Sequence, residues 1–180
     1  MAKKSVPIVI LILRILMFIL LLISLVVLAT IKFTIPADLS DTNQDTDVRF
    51  KDFYAYRYLL SVEVIGCAYM LLQIPFAAIS VASGNKIGGS KLVSQFLIVT
   101  DIIVSLLFAS GVGAGFGYTV DEKHYVDAVA VKDVGNDPEY SKLHKDMDKF
   151  FDMAHISTGF LLMATVCMTV VTIVSAYSKK

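Results

Sequence analysis

The chain has 180 residues, no formal net charge, 56% hydrophobic residues and a mean hydropathy of +0.71. Only 18% of its residues are charged, against about 25% in ordinary soluble domains. These values exclude a soluble enzyme core, a disordered chain and a disulfide-rich secreted scaffold. Zero net charge also provides no basic footprint for nucleic acid, so the apolar excess belongs in a membrane.

Four windows are nearly free of charge. The only charge between Lys4 and Lys32 is Arg14, between Tyr58 and Lys86 it is Glu63, and between Leu92 and Val120 it is Asp101; Met153 to Ser178 has none. A helix needs about 20 apolar residues to cross a bilayer, and open strands cannot satisfy their backbone groups in lipid. The pattern predicts an all-α membrane protein, a four-helix bundle with spans at 8–30, 58–82, 92–119 and 154–177. The first span follows a basic Met1-Ala-Lys-Lys4 start, yet it exceeds the roughly 7–15 apolar residues of a signal peptide and no small-residue cleavage site follows it. It reads as a retained anchor.

Four spans put residues 1–7, the 83–91 connection and residues 178–180 on one side. That side holds Lys3, Lys4, Lys86, Lys91, Lys179 and Lys180 and no acid. The longer connections, 31–57 and 120–153, hold nine basic and fourteen acidic residues. Total Lys and Arg favour the second side, but density beside span ends favours the first, and the rule applies to short loops. The termini are therefore expected in the cytoplasm. The 31–57 connection, with Pro36 and a polar run over 38–47, reads as flexible. The end of the second connection, 139–151, reads as a short amphipathic helix, and neither connection carries an N-glycosylation sequon.

Arg14 in span one and Asp101 in span three are the residues to watch. At a 1.5 Å rise they lie about 10 and 15 Å inside the same boundary. Alone, each would cost about 2.5–3.5 kcal/mol near a helix centre. Facing each other they neutralise and share hydrogen bonds, as a structural intramembrane ion pair clamping the two spans. Two other readings stand beside this one: Arg14 snorkelling to headgroups with a protonated Asp101, or a transport path. Glu63 reads as an interfacial carboxylate that reaches the outer headgroup zone or bonds Arg57 or Tyr56 locally. Pro75, near Gln73, removes a backbone bond and marks either a packing kink or a hinge.

Span three ends in Gly111-Val-Gly113-Ala-Gly115-Phe-Gly117, two overlapping GxxxG patterns. Small residues let helix backbones approach in lipid, so Gly111, Gly113, Gly115 and Gly117 form a packing face, within the bundle or between protomers. No Gly-Lys-Ser/Thr follows, so this is not a phosphate loop. Tyr54, Tyr56, Tyr58, Tyr118 and Tyr177 occupy span ends and read as an aromatic belt. Cys67 and Cys167 lie within spans and read as free thiols. His124, His144 and His155 lack the spacing of haem or zinc ligands, a pairing of Asp152 with His155 being the nearest approach. Without a nucleophile, metal or cofactor motif, no catalytic, cofactor-binding or metal residues are expected and no enzyme is predicted.

Leu11-Ile-Leu-Arg14-Ile-Leu in span one, Phe50-Lys-Asp-Phe-Tyr-Ala-Tyr-Arg-Tyr58 before span two and Ala82-Ser-Gly-Asn-Lys86 after it resemble the plant CASP-like family. These are relatives of the Casparian strip membrane domain proteins, and subgroup 4D is the nearest. The likeness covers essentially the whole chain. Arg14 and Asp101 occupy positions where that family carries a characteristic arginine and aspartate. The resemblance implies a multi-pass plasma-membrane protein of MARVEL-like architecture with cytoplasmic termini. It also implies homo-oligomers, and hetero-oligomers with related CASP-like proteins, that organise membrane domains or recruit cell-wall-modifying proteins. The chain departs from the founding members in the first outer connection, and His144 and Phe151 stand near where many relatives have a cysteine pair; a lignification role does not carry over. Two functions follow: a non-catalytic lateral scaffold, or a small oligomeric channel or transporter built on Arg14, Glu63 and Asp101.

Overall fold

The computed structural model describes residues 2–37, 44–83, 91–133 and 138–177. The 38–43 part of the polar run, most of the 83–91 connection and residues 178–180 lie outside the described residues. Helix α1 spans Ala2–Thr30, α2 Tyr54–Ser83, α3 Lys91–Asp133 and α4 Pro138–Tyr177. Each contains a stretch long and apolar enough to cross a membrane. Neighbours pack in the ring order α1, α2, α3, α4 and back to α1, the up-down arrangement that short connections favour.

The bundle is apolar on both its inside and its outside. Met17, Leu21, Leu28, Leu59, Val62, Met70, Phe108, Leu161 and Met168 are buried in its core. Ile12, Val26, Leu72, Ile103, Leu106 and Met163 stand exposed on the outer surface. That is what lipid as solvent demands, because a helix apolar all round is either a core helix or a membrane span. Helix α2 passes through Pro75 as one continuous helix.

The membrane-external parts differ from the sequence expectation in two places. The 31–57 connection carries a hairpin, β1 Lys32–Ile35 antiparallel to β2 Thr46–Arg49, with Lys32 opposite Arg49 and Ile35 opposite Thr46. It is held because Phe33 is buried and meets Phe150 of α4 edge-on, ring centres 5.2 Å apart. A second tie comes from Asp47, whose Oδ1 accepts from the Thr34 hydroxyl at 2.8 Å and whose Oδ2 lies 3.5 Å from Lys32 Nζ. The Thr34 hydrogen bond, then the Lys32 charge, hold the Asp47 carboxyl below its usual 3.8.

The second difference is helix length. Helix α3 continues fourteen residues past Thr119, to Asp133, and the helix expected over 139–151 is present but continuous with the fourth span, as one helix α4 from Pro138. Pro138 opens α4 where its missing N–H costs nothing. The two extensions form a polar helical pair braced by Lys123–Asp152 at 2.7 Å and by His144, whose two ring nitrogens face Asp127 and Asp148 at 3.3 and 3.4 Å. The apolar window ends near Thr119, while the helix runs on because its charged residues find partners on the next helix.

Candidate functional site

The bundle buries two polar clusters at different levels. The first unites α1, α2 and α3. Arg14 Nη2 lies 2.9 Å from Asp101 Oδ2 and 3.2 Å from Oδ1, and the two side chains are 3% and 1% exposed. The structure thus brings the two charges together, with one guanidinium nitrogen laid across both oxygens instead of a two-nitrogen fork. Tyr69 donates its hydroxyl hydrogen to Asp101 Oδ1 at 2.5 Å, and Gln73 Nε2 donates to Tyr69 at 2.9 Å. Asp101 is therefore held by two donors. Arg14 Nε and Nη1 are buried with no hydrogen-bond partner among the described residues.

The second cluster joins α1, α2 and α4. Glu63 is fully buried, and its Oε1 is hydrogen-bonded to Ser24 Oγ. Ser24 Oγ also lies 2.7 Å from the Ser157 carbonyl, and Ser157 Oγ donates to the Ser24 carbonyl at 2.9 Å. This corrects the interfacial reading of Glu63. Helix α2 starts at Tyr54, four residues before the apolar window, so Glu63 sits nine residues into the helix and faces α1 and α4, away from Arg57.

Between the clusters runs a solid apolar layer. Gly66 lies between Glu63 and Tyr69 on α2, Leu21 between Arg14 and Ser24 on α1, and Phe108 seven residues beyond Asp101 on α3. A Cβ at Gly66 would come within 2.6 Å of the Phe108 ring and 3.1 Å of Leu21, so the glycine is a socket for that ring. Met17, Leu21 and Phe108 have no exposure at all. Arg14, Asp101 and Glu63 consequently form no continuous polar path through the described bundle.

The four glycines of α3 part into two pairs. A Cβ at Gly111 would stand 3.1 Å from Val62 and 3.2 Å from Leu161, and one at Gly115 would clash with Thr158 at 2.6 Å. Gly111 and Gly115 therefore seat α3 against α2 and α4. A Cβ at Gly113 or Gly117 would meet nothing within 4 Å, so this pair faces away from the bundle.

Other candidate residues fall as follows. Tyr54 and Tyr58 are exposed near the start of α2, whereas Tyr56 is fully buried, 3.0 Å from Thr119 Oγ1 and edge-on to Tyr118 and Phe150. It belongs to an aromatic cap on the bundle and not to a lipid-facing belt. Cys67 and Cys167 are free thiols. Asp152 takes Lys123 while His155 meets Phe116 in a tilted ring contact, ring centres 4.9 Å apart, so these two do not form a zinc pair. Asp127, His144 and Asp148 do come within 4.8 Å of one another. Their carboxylates approach opposite nitrogens of one imidazole, at 3.3 and 3.4 Å, so they flank the ring instead of converging on the side of one nitrogen.

Sequence reasoning missed Tyr69, Ser24, Ser157 and Gly66. Each is a polar or small residue inside an apolar window, and such residues in spans turn inward.

Comparison with known proteins agrees with this architecture. The family model described as the Casparian strip membrane protein domain matches residues 3–167. "CASP-like protein 4D1" of Sorghum bicolor is 44% identical over 189 residues, covering 99% of this chain and 95% of that protein. A protein of the same name from Ricinus communis is 38% identical, covering 93% and 89%. "CASP-like protein 4D2" of Arabidopsis thaliana is 34% identical, covering 97% and 91%. No solved structure matches.

Proposed function

This chain belongs to the Casparian strip membrane protein domain family, and on that premise we propose that it is a non-catalytic scaffold whose protomers associate side by side in the plasma membrane. Copies of the chain and related CASP-like proteins are its partners. Such assemblies organise a membrane domain and recruit wall-modifying proteins. Both ends of the bundle's chain lie on the cytoplasmic side, leaving the hairpin and the α3–α4 extension outside.

The observation that carries this reading is the division of labour on α3. One GxxxG pair is spent inside the bundle, while Gly113 and Gly117 leave a flat strip on the outer surface with nothing above it. In lipid, helix association depends on close backbone approach, and such strips provide it. The Arg14–Asp101 pair and the Glu63 cluster then act as internal pins that keep each protomer rigid. The channel alternative is disfavoured by the Leu21–Gly66–Phe108 layer that separates the two polar clusters. Photobleaching tests the choice. A scaffold gives slow lateral recovery, and differently tagged copies co-purify. Fast recovery of single protomers, with ion flux through reconstituted protein that Asp101→Asn abolishes, would overturn it.

A further inference from the structure

A groove of about 570 Å³ opens at the hairpin end of the bundle, between the end of α1, strand β1 and the first turns of α4. Its size falls in the range of about 300–1,000 Å³ typical of small-molecule sites. Phe33 and Phe150 are both buried and form its floor. Along α4 its wall presents Met153, Lys149, Asp146 and Lys142 in that order, spaced by four, three and four residues and hence on one helix face. Lys32 stands at the same end on β1, beside Thr30 and Ile31, where α1 leaves its apolar stretch.

The order of these groups matches the order of chemistry across a bilayer surface. Asp152 is the first charged residue outside the apolar window of α4, so Met153 lies at the hydrocarbon boundary. At a 1.5 Å rise, Lys149 lies about 6 Å and Asp146 about 10 Å farther out. A bilayer's headgroup layer is about 5–8 Å thick on each side. Lys149 thus sits at the depth of lipid phosphates, with Lys32, whose Nζ is 3.5 Å from Asp47 Oδ2, at the same end and Asp146 just beyond the headgroup layer. Neither Lys149 nor Asp146 enters an ion pair among the described residues. Asp45, also in the lining, accepts a hydrogen bond from the Ala37 amide and adds negative charge on the hairpin side.

We propose that this groove binds one glycerophospholipid with an ethanolamine headgroup, from the leaflet on the hairpin side. Its phosphate lies against Lys149 and Lys32, its primary ammonium reaches Asp146, and an acyl chain runs down past Met153. A purely anionic lipid answers the lysines of the lining but brings no N–H donor to Asp146. A choline headgroup brings a cation without N–H donors, which Asp146 cannot hold by a hydrogen bond.

Native mass spectrometry of the full chain in detergent tests this, with dioleoyl phosphatidylethanolamine, phosphatidylcholine and phosphatidylglycerol offered in equal amounts. A single phosphatidylethanolamine is expected to be retained about fivefold over the others, since one near-surface charge is worth about that factor. Lys149→Gln lowers its retention about fivefold, and Asp146→Asn removes the preference over phosphatidylcholine. Both side chains lie on the surface of α4 outside the apolar window, so the variants keep the wild-type helix content, which circular dichroism checks. Equal retention of the three lipids by the wild type would overturn the proposal, as would variants that bind like wild type. Displacement of the lipid by inorganic phosphate would also overturn it, by assigning the groove to a free anion.

Discussion

A double-mutant cycle on Arg14 and Asp101 tests the energetic reasoning about the bundle. Removing one member of a buried ion pair costs about 3–5 kcal/mol, because the other charge is left without compensation. Here the two members are unequally served. Asp101 keeps the Tyr69 hydroxyl when Arg14 is gone. Arg14 already has Nε and Nη1 without partners among the described residues, so losing Asp101 strips its one anchored nitrogen. Asp101→Leu is therefore the costlier change, at about 3 kcal/mol or more, and Arg14→Met costs about 2 kcal/mol. The pair itself repays its desolvation incompletely, so Arg14→Met with Asp101→Leu should return to within about 1 kcal/mol of wild type. Reversible unfolding in mixed micelles, followed by circular dichroism, gives the four stabilities. If the double variant costs the sum of the single changes to within about 0.5 kcal/mol, the two residues are uncoupled and the reasoning fails.

Other outcomes follow from the same contacts. Gly115→Val drives side-chain atoms into Thr158 and should lower stability by about 1–3 kcal/mol, whereas Gly117→Ala should raise it by about 0.5–1 kcal/mol through helix propensity; thermal unfolding in bicelles compares them. Gly66→Ala must displace the fully buried Phe108 ring at about 1–3 kcal/mol, and adding Phe108→Leu should recover part of the loss. The hairpin tie is acid-sensitive: the folded Asp47 carboxyl lies below 3.8, so its contribution is present above that value and fades as pH falls through the folded value. Hydrogen exchange of the β1 and β2 amides should quicken over that acid range, and Asp47→Asn should abolish the pH dependence.

The membrane-crossing core was legible because charge is costly in lipid, which leaves the apolar windows and their isolated charges in plain view. Depth counting from span ends placed Arg14 and Asp101 about 10 and 15 Å from the same boundary, within reach of an arginine side chain, and the structure has them in contact. The same counting failed for Glu63, since the helix begins at Tyr54 and the facing of a residue depends on which helices neighbour it. The extension of α3 was hidden for a related reason, whereas the helix over 139–151 was legible and only its continuity with the fourth span was missed. Hydropathy reports the solvent, and the partners that keep residues 120–133 helical, such as Asp152 for Lys123 and His144 for Asp127, are distant in sequence. The hairpin escaped notice because each strand is four residues long and depends on Phe33 finding Phe150. On α3 the spacing of glycines was visible, but which pair turns inward was fixed only by Val62, Leu161 and Thr158.

Side-by-side association through the open α3 strip is measured most directly by energy transfer between donor- and acceptor-labelled protomers in liposomes, at increasing lipid dilution. The scaffold account predicts transfer that persists on dilution in the wild type and disappears in Gly113→Leu with Gly117→Leu, whose helix content is unchanged. Transfer in the wild type that falls away with dilution to the level of random encounters would contradict it.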